Sequence, residues 1–298
     1  MEFINLITNQ IIVPFLFVFW LWNSSHKSRI NWLIQLLSAG ALVASALIIG
    51  AQSWTSIYTG GFLLVFFMVA TIKSFRFLPK NWIPFYFGEN WSKKILTGTQ
   101  MFIGLIFLPL SIYGLTGYSF SGDSVSLRFP MQDGVYYVAH GGSNPLINYH
   151  NVHHEQTYAM DISELNVFGV RAAGLYPNQL DRYKIFGEKV YSPCTGTIQK
   201  AVSHLPDNPP PERDSGNPKG NHVQIKCKGV QLYLAHLKKG SVSADSGNVV
   251  HKGALLGEIG NSGNTSEPHL HIHAVRDGKG IPITFNGRFL ARNSLVWR

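Results

Sequence analysis

Long apolar runs almost free of charge fill residues 1–120, and nothing else in the chain limits its possible folds so sharply. The acids there are Glu2 and Glu89, and the seven basic residues (Lys27, Arg29, Lys73, Arg76, Lys80, Lys93 and Lys94) fall between the runs rather than within them. A helix in water needs a polar face, whereas one in lipid does not. The pattern predicts about four transmembrane helices, at roughly 5–23, 32–52, 54–72 and 99–118, each near the ~20 residues that a bilayer core requires.

Basic residues favour the cytoplasmic side. The loops bearing Lys27 and Arg29, and Lys73 to Lys94, are therefore expected inside, with the N-terminus and everything after residue 120 outside. The first segment is expected to be retained rather than cleaved, because Glu2 stands where a signal peptide carries basic residues and no small-residue cleavage site follows Trp22. No ionisable pair lies at mid-depth, so the bundle reads as an anchor in the bilayer and not as a transport path. The net charge of +9 divides into +5 before residue 120 and +4 after it. Topology accounts for much of this excess, and nucleic acid is not an expected partner.

After residue 121 the solvent changes. Short stretches such as VSLRF, GVYYVAH, GTIQKAV, HVQIKC and VQLYLAHL alternate with Gly, Pro, Asn and Asp, which predicts an all-β domain over 121–298. The proline-rich segment 205–221 reads as an exposed loop. Cys194 and Cys227 are the two cysteines, and an extracytoplasmic location permits a disulfide between them.

All the histidines except His26 lie after residue 139. In EPHLHIH, His269, His271 and His273 alternate with Leu270 and Ile272, so a strand would place all three imidazoles on one face. A solvated strand face would look the same, and H-x-H is weak on its own. Upstream, NYHNVHHEQTYAMDI offers His150, His153 or His154 beside Asp161. Two histidines and one carboxylate would leave a coordination position of Zn2+ open, as catalysis requires. HHEQT lacks the second histidine of H-E-x-x-H, which excludes that helical arrangement. His236 ends a strand in YLAHLKKG and reads as either a groove residue or a surface one.

The ordered set NYH, Q-x-Y-A-x-D-I, YSPCTGTI, GNHVQI, YLAHL, the glycine-rich V249–T265 stretch and PHLHIH resembles the lysostaphin/LytM-type endopeptidases over about residues 134–285. The resemblance implies an antiparallel β-sheet groove, one zinc ion, and hydrolysis of peptide bonds in peptidoglycan stems or cross-bridges. It makes Asp161 and His271 metal ligands and places His236 and His269 at the scissile bond. The compact family pattern H-x-x-x-D would need a histidine at position 157, which is Thr157 here. A longer variant counts back from Gln156 to His150, which is therefore preferred over His154 as the third ligand. His273 reads as hydrogen-bonding support for a ligand or as a merely exposed residue. Gly257, Gly260 and Gly263 are expected to serve backbone geometry.

The resemblance does not cover the N-terminal bundle; the apolar runs and the resemblance together imply a membrane-anchored, multi-pass zinc endopeptidase with His269 as general base and His236 orienting water or the developing oxyanion. Its rival is a catalytically silent wall-binding or regulatory module of the same fold.

Overall fold

The computed structural model describes residues 7–26, 28–78 and 90–298. Glu2, Lys27, Lys80 and Glu89 lie outside the described residues, as does the start of the first predicted span. The chain divides into two compact units, Met1–Leu115 and Thr116–Arg298.

The first unit is helical. Arg29–Ile48, Ile57–Arg76 and Trp91–Thr116 are each long and apolar enough to cross a membrane. The first apolar run is helical as well, with a π-helical turn Thr8–Ile12 leading into the α-helix Val13–Asn23, but its described length falls short of the other three. Where apolar side chains point inward, Val18, Leu21, Val43 and Leu63 form a small core. Phe62, Phe75 and Leu105 point outward and are more than half exposed, a surface suited to lipid rather than water. Two polar pairs lie inside the bundle: Trp32 Nε1 donates to Ser74 Oγ at 2.9 Å, and Ser38 Oγ donates to the Gln100 carbonyl at 2.6 Å. An unpaired polar group would be costly there.

The second unit is a β domain of mostly antiparallel strands. In chain order these are β1 Val125–Leu127, β2 Val135–His140, β3 Met160–Leu165, β4 Lys189–Tyr191, β5 Gly196–Val202, β6 Asn221–Cys227 and β7 Val230–Leu237. There follow β8 Val249–Val250, β9 Leu255–Glu258, β10 Leu270–Arg276, β11 Lys279–Ile281, β12 Ile283–Phe285, β13 Arg288–Phe289 and β14 Leu295–Trp297. The main sheet runs β14-β2-β3-β10-β7-β6-β5-β8, with β11 on the edge of β10. One pairing is parallel, β1 with β12.

Two-residue alternation sorts the faces of this sheet. On β10, Leu270, Ile272 and Ala274 enter the core with Met160 and Ile162 of β3 and Leu232 and Leu234 of β7. Each fully buried side chain of this size contributes ~2 kcal/mol of apolar burial. The intervening His271 and His273 project from the opposite face, where they too are buried. Cys194 and Cys227 are joined by a disulfide, with Cα atoms 6.4 Å apart.

The predicted loop 205–221 is non-helical and largely exposed, yet it is tied down. Asn221 Nδ2 donates to the carbonyls of Leu205 and Leu237, while the Asp207 carboxylate accepts from the amides of Lys239 and Asn261.

Candidate metal centre

Asp161 occupies the middle of the site because its strand does. β3 pairs with β2 on one side and β10 on the other, and the register sets Asp161 opposite His271. Its Oδ1 lies 2.9 Å from His271 Nδ1, and its Oδ2 lies 2.9 Å from His150 Nε2. His269, just before β10, brings Nε2 to 3.4 Å from Asp161 Oδ1.

His150 reaches this cluster from a short 3-10 turn, Tyr149–Val152, whose N-cap Asn148 accepts the His150 amide. Asn148 is itself fully buried and donates to the carbonyls of Gly142 and Ala159, so the turn is anchored to the start of β3. His154 goes elsewhere. Its exposed ring has Nδ1 at 2.9 Å from the Gly278 carbonyl.

His236 sits near the end of β7 with φ of 65°, a left-handed conformation that costs a non-glycine residue about 1–3 kcal/mol. The bend turns its ring toward the cluster, with ring centres 4.9 Å from His269 and 5.7 Å from His271. Its Nδ1 donates to the Ser262 carbonyl at 2.9 Å. That carbonyl is fixed by close backbone packing: a Cβ on Gly220 would come within 2.1 Å of it, and one on Gly263 within 2.4 Å of the Gly220 nitrogen. The glycines of the IGNSGNT stretch are therefore needed for close approach, as the sequence suggested for Gly263.

Carbonyl partners fix tautomers, since a carbonyl only accepts. His236 Nδ1 faces Ser262 O, and His269 Nδ1 faces Glu267 O at 2.8 Å. Both rings, when neutral, carry their lone pair on Nε2. His271 Nε2 lies 2.9 Å from His273 Nδ1, so a proton on His271 Nε2 leaves its Nδ1 free as a donor to a metal. His273 in turn stacks on Tyr233 at 4.5 Å.

Electrostatics follow from burial and proximity. Burial alone would raise the Asp161 carboxyl, but the imidazoles of His150 and His269 overcome it and hold the group well below its usual range. Burial lowers His271 to about 4 and pushes His236 and His273 well down. His269 is also buried, yet the Asp161 carboxylate outweighs the desolvation and raises it.

The donor atoms of His150, Asp161 and His271 lie within 4.8 Å of one another, as do those of His236, His269 and His271. Two nitrogens and one carboxylate oxygen, all on buried residues, form a set that suits a borderline divalent ion such as zinc. A supporting hydrogen bond on the far nitrogen of His271 matches what such ligands ordinarily have. The cluster opens into a cleft of about 560 Å³ lined by Tyr149, His150, Lys219, His236, His271 and His273.

Several neighbours were not evident from the sequence. Tyr149 packs its ring 3.9 Å from that of His150. His140, at the end of β2, accepts from Arg292 Nη2 at 2.9 Å, and Arg292 Nε donates to the Ile147 carbonyl. Burial first, and Arg292 second, lower His140 to about 3. A histidine closing the strand GVYYVAH was the one available sign, and nothing local marks Arg292.

Among known proteins, residues 181–283 match the model of Peptidase family M23. The matched stretch holds His236, His269 and His271 and begins after His150 and Asp161. No curated protein matches the chain. Among solved structures, a zinc-containing peptidase from Vibrio cholerae overlaps at 17% identity over 53% of this chain and 39% of its own, with a TM-score of 0.34. A SpoIIIAH–SpoIIQ complex overlaps at 15% identity over 52% and 95%, with a TM-score of 0.34. The catalytic domain of a variant of the prophage-encoded M23 protein EnpA from Enterococcus faecalis overlaps at 22% identity over 37% and 79%, with a TM-score of 0.21. This chain thus spans about two fifths of the Vibrio cholerae protein. Residues 181–283 thus carry a Peptidase family M23 domain.

Proposed function

We propose that the chain is a membrane-anchored zinc endopeptidase that hydrolyses peptide bonds in peptidoglycan stems or cross-bridges. The observation that carries this reading is Asp161, whose two oxygens each meet a different imidazole at 2.9 Å while two further histidines face the same small volume. In this reading His150, Asp161 and His271 hold the metal, and His236 and His269 serve the scissile bond. Zinc held there would supply Lewis-acid polarisation of the substrate carbonyl and a lowered pKa for the attacking water.

The protein's own part is proton transfer and orientation. His269 presents Nε2 as a base that takes a proton from water and returns it to the departing amine. Glu267 and Thr265, both within 3.2 Å of its Nδ1, keep the ring turned for that exchange. Once protonated, the imidazolium is stabilised by Asp161. His236, held by Ser262, orients the water or the carbonyl oxygen from the opposite side.

Placement outside the cytoplasm is supported by charge and by the disulfide. Arg29 opens the first long helix, Lys73 and Arg76 close the second, and Lys93 and Lys94 open the third. All five belong to one end of an alternating bundle. Positive charge favours the inside for that end and directs residue 116 outward, whether or not Val13–Asn23 also spans. The Cys194–Cys227 pair suits an oxidising compartment.

The test uses the full chain in detergent with purified peptidoglycan, reading bound zinc and newly released amino groups. Zinc near one equivalent with amine release, both abolished by a chelator and restored by zinc, is the expected result. Zinc without release from peptidoglycan or any peptide would favour a silent binding module instead.

A further inference from the structure

The face of the sheet that carries the metal centre does not end at β7. His273 pairs with Tyr233, Tyr233 with Gln224 and Gln224 with Lys200 across four adjacent strands. Val202 pairs with His222 in the same way. Cross-strand partners project to the same side, so the row leads from the histidine cluster to a second recess, about 460 Å³ in volume, beside β5 and β6.

This recess is cationic. Lys200, His204, Lys219 and His222 line it without any acid, and Lys219 lines the catalytic cleft as well. The Lys219 ammonium lies 4.4 Å over the Tyr233 ring, a cation–π contact that holds it at the junction of the two spaces. Neither Lys200 nor Lys219 forms an ion pair among the described residues. Asp214, two residues before Gly216 of the lining, accepts from Gly216 and Asn217, and Glu155 lines the adjoining cleft with Lys219 without pairing with it. His222 is buried and donates from Nδ1 to the Gly220 carbonyl at 2.7 Å, which leaves Nε2 as an acceptor for a peptide N–H. Burial, and then both lysines, lower its pKa.

Two ammonium groups without counterions, beside an acceptor and continuous with the cleft, are suited to a peptide that brings its own negative charge. We propose that this recess is a specificity subsite in which Lys200 and Lys219 bind a carboxylate of the substrate, so that acidic peptides are selected over neutral ones. The proposal rests on the peptidase reading. The carboxylate can belong to an acidic side chain or to a free C-terminus.

Four unlabelled peptides separate these sources: Ala-Glu-Ala-Ala and Ala-Gln-Ala-Ala, each with a free or amidated C-terminus. Calorimetry on the full chain in detergent should give about tenfold tighter binding for at least one charged form than for the doubly neutral peptide. The preference should shrink as salt rises from about 0.05 to 0.5 M. Lys200→Gln should cut the preference to twofold or less and raise KM for acidic peptides without a matching loss in kcat, while Lys200→Arg should keep it. Melting curves confirm that the variants fold. Equal binding of all four peptides, binding of none, or an unchanged preference in Lys200→Gln with Lys219→Gln would overturn the proposal. Preferential binding with no amine release from peptidoglycan or any of these peptides would sink the peptidase reading and leave the subsite standing. Cleavage without preference would do the reverse.

Discussion

Asp161 and His271 are backbone partners across β3 and β10, and their side chains meet at 2.9 Å. Because the sheet itself sets this contact, removing either side chain should abolish a site rather than loosen a loop. His271→Ala is expected to lose zinc and turnover together. His269→Ala should keep zinc while kcat falls by about 10²–10⁴, the usual weight of a general base. Metal analysis beside kinetics decides it, and equal metal loss in both variants would refute the division of roles.

The choice among the three upstream histidines gives a second test. His150→Ala should weaken zinc binding by at least about 100-fold, whereas His154→Ala, whose ring sits at the Gly278 carbonyl, should change it by less than about threefold. Zinc titration against a competing chelator measures both.

Acid should destabilise the metal-free protein, and His140 is one cause. Its pKa lies at about 3 against an ordinary 6.5, so the unfolded chain takes up a proton that the folded one refuses. The stability from this group is full above about pH 6.5 and is lost as pH falls toward 3, at up to ~1.4 kcal/mol per pH unit. His140→Asn, which keeps an acceptor for Arg292, should flatten the fall of the melting temperature between pH 6.5 and 4.5. An unchanged slope would remove His140 from the account.

Gly263 combines φ of 89° with a Cβ direction that meets the Gly220 nitrogen at 2.4 Å. Gly263→Ala should therefore cost about 1–3 kcal/mol. It should also displace the Ser262 carbonyl from His236, so that kcat falls more than zinc content. Retention of full kcat in a folded variant would show that His236 does not depend on this turn.

Much of the protein followed from sequence, because the decisive signals are local. Apolar runs without acids marked the helices, since lipid tolerates no exposed charge. The alternation in His269–His273 predicts all three imidazoles on one strand face, because strand side chains repeat every two residues; β10 begins at Leu270 and carries His271 and His273, with His269 just before it. Tertiary structure decided what local pattern does not encode. His150 joins Asp161 and His154 does not, because Asn148 anchors one turn to β3 while the next reaches Gly278. The ring of His236, turned by a left-handed bend, meets a carbonyl packed against glycines 16 and 27 residues away along the chain, at Gly220 and Gly263. His140 with Arg292, and the row from His273 to Lys200, exist only through strand register. Register is a property of distant segments packed together, and no single segment carries it.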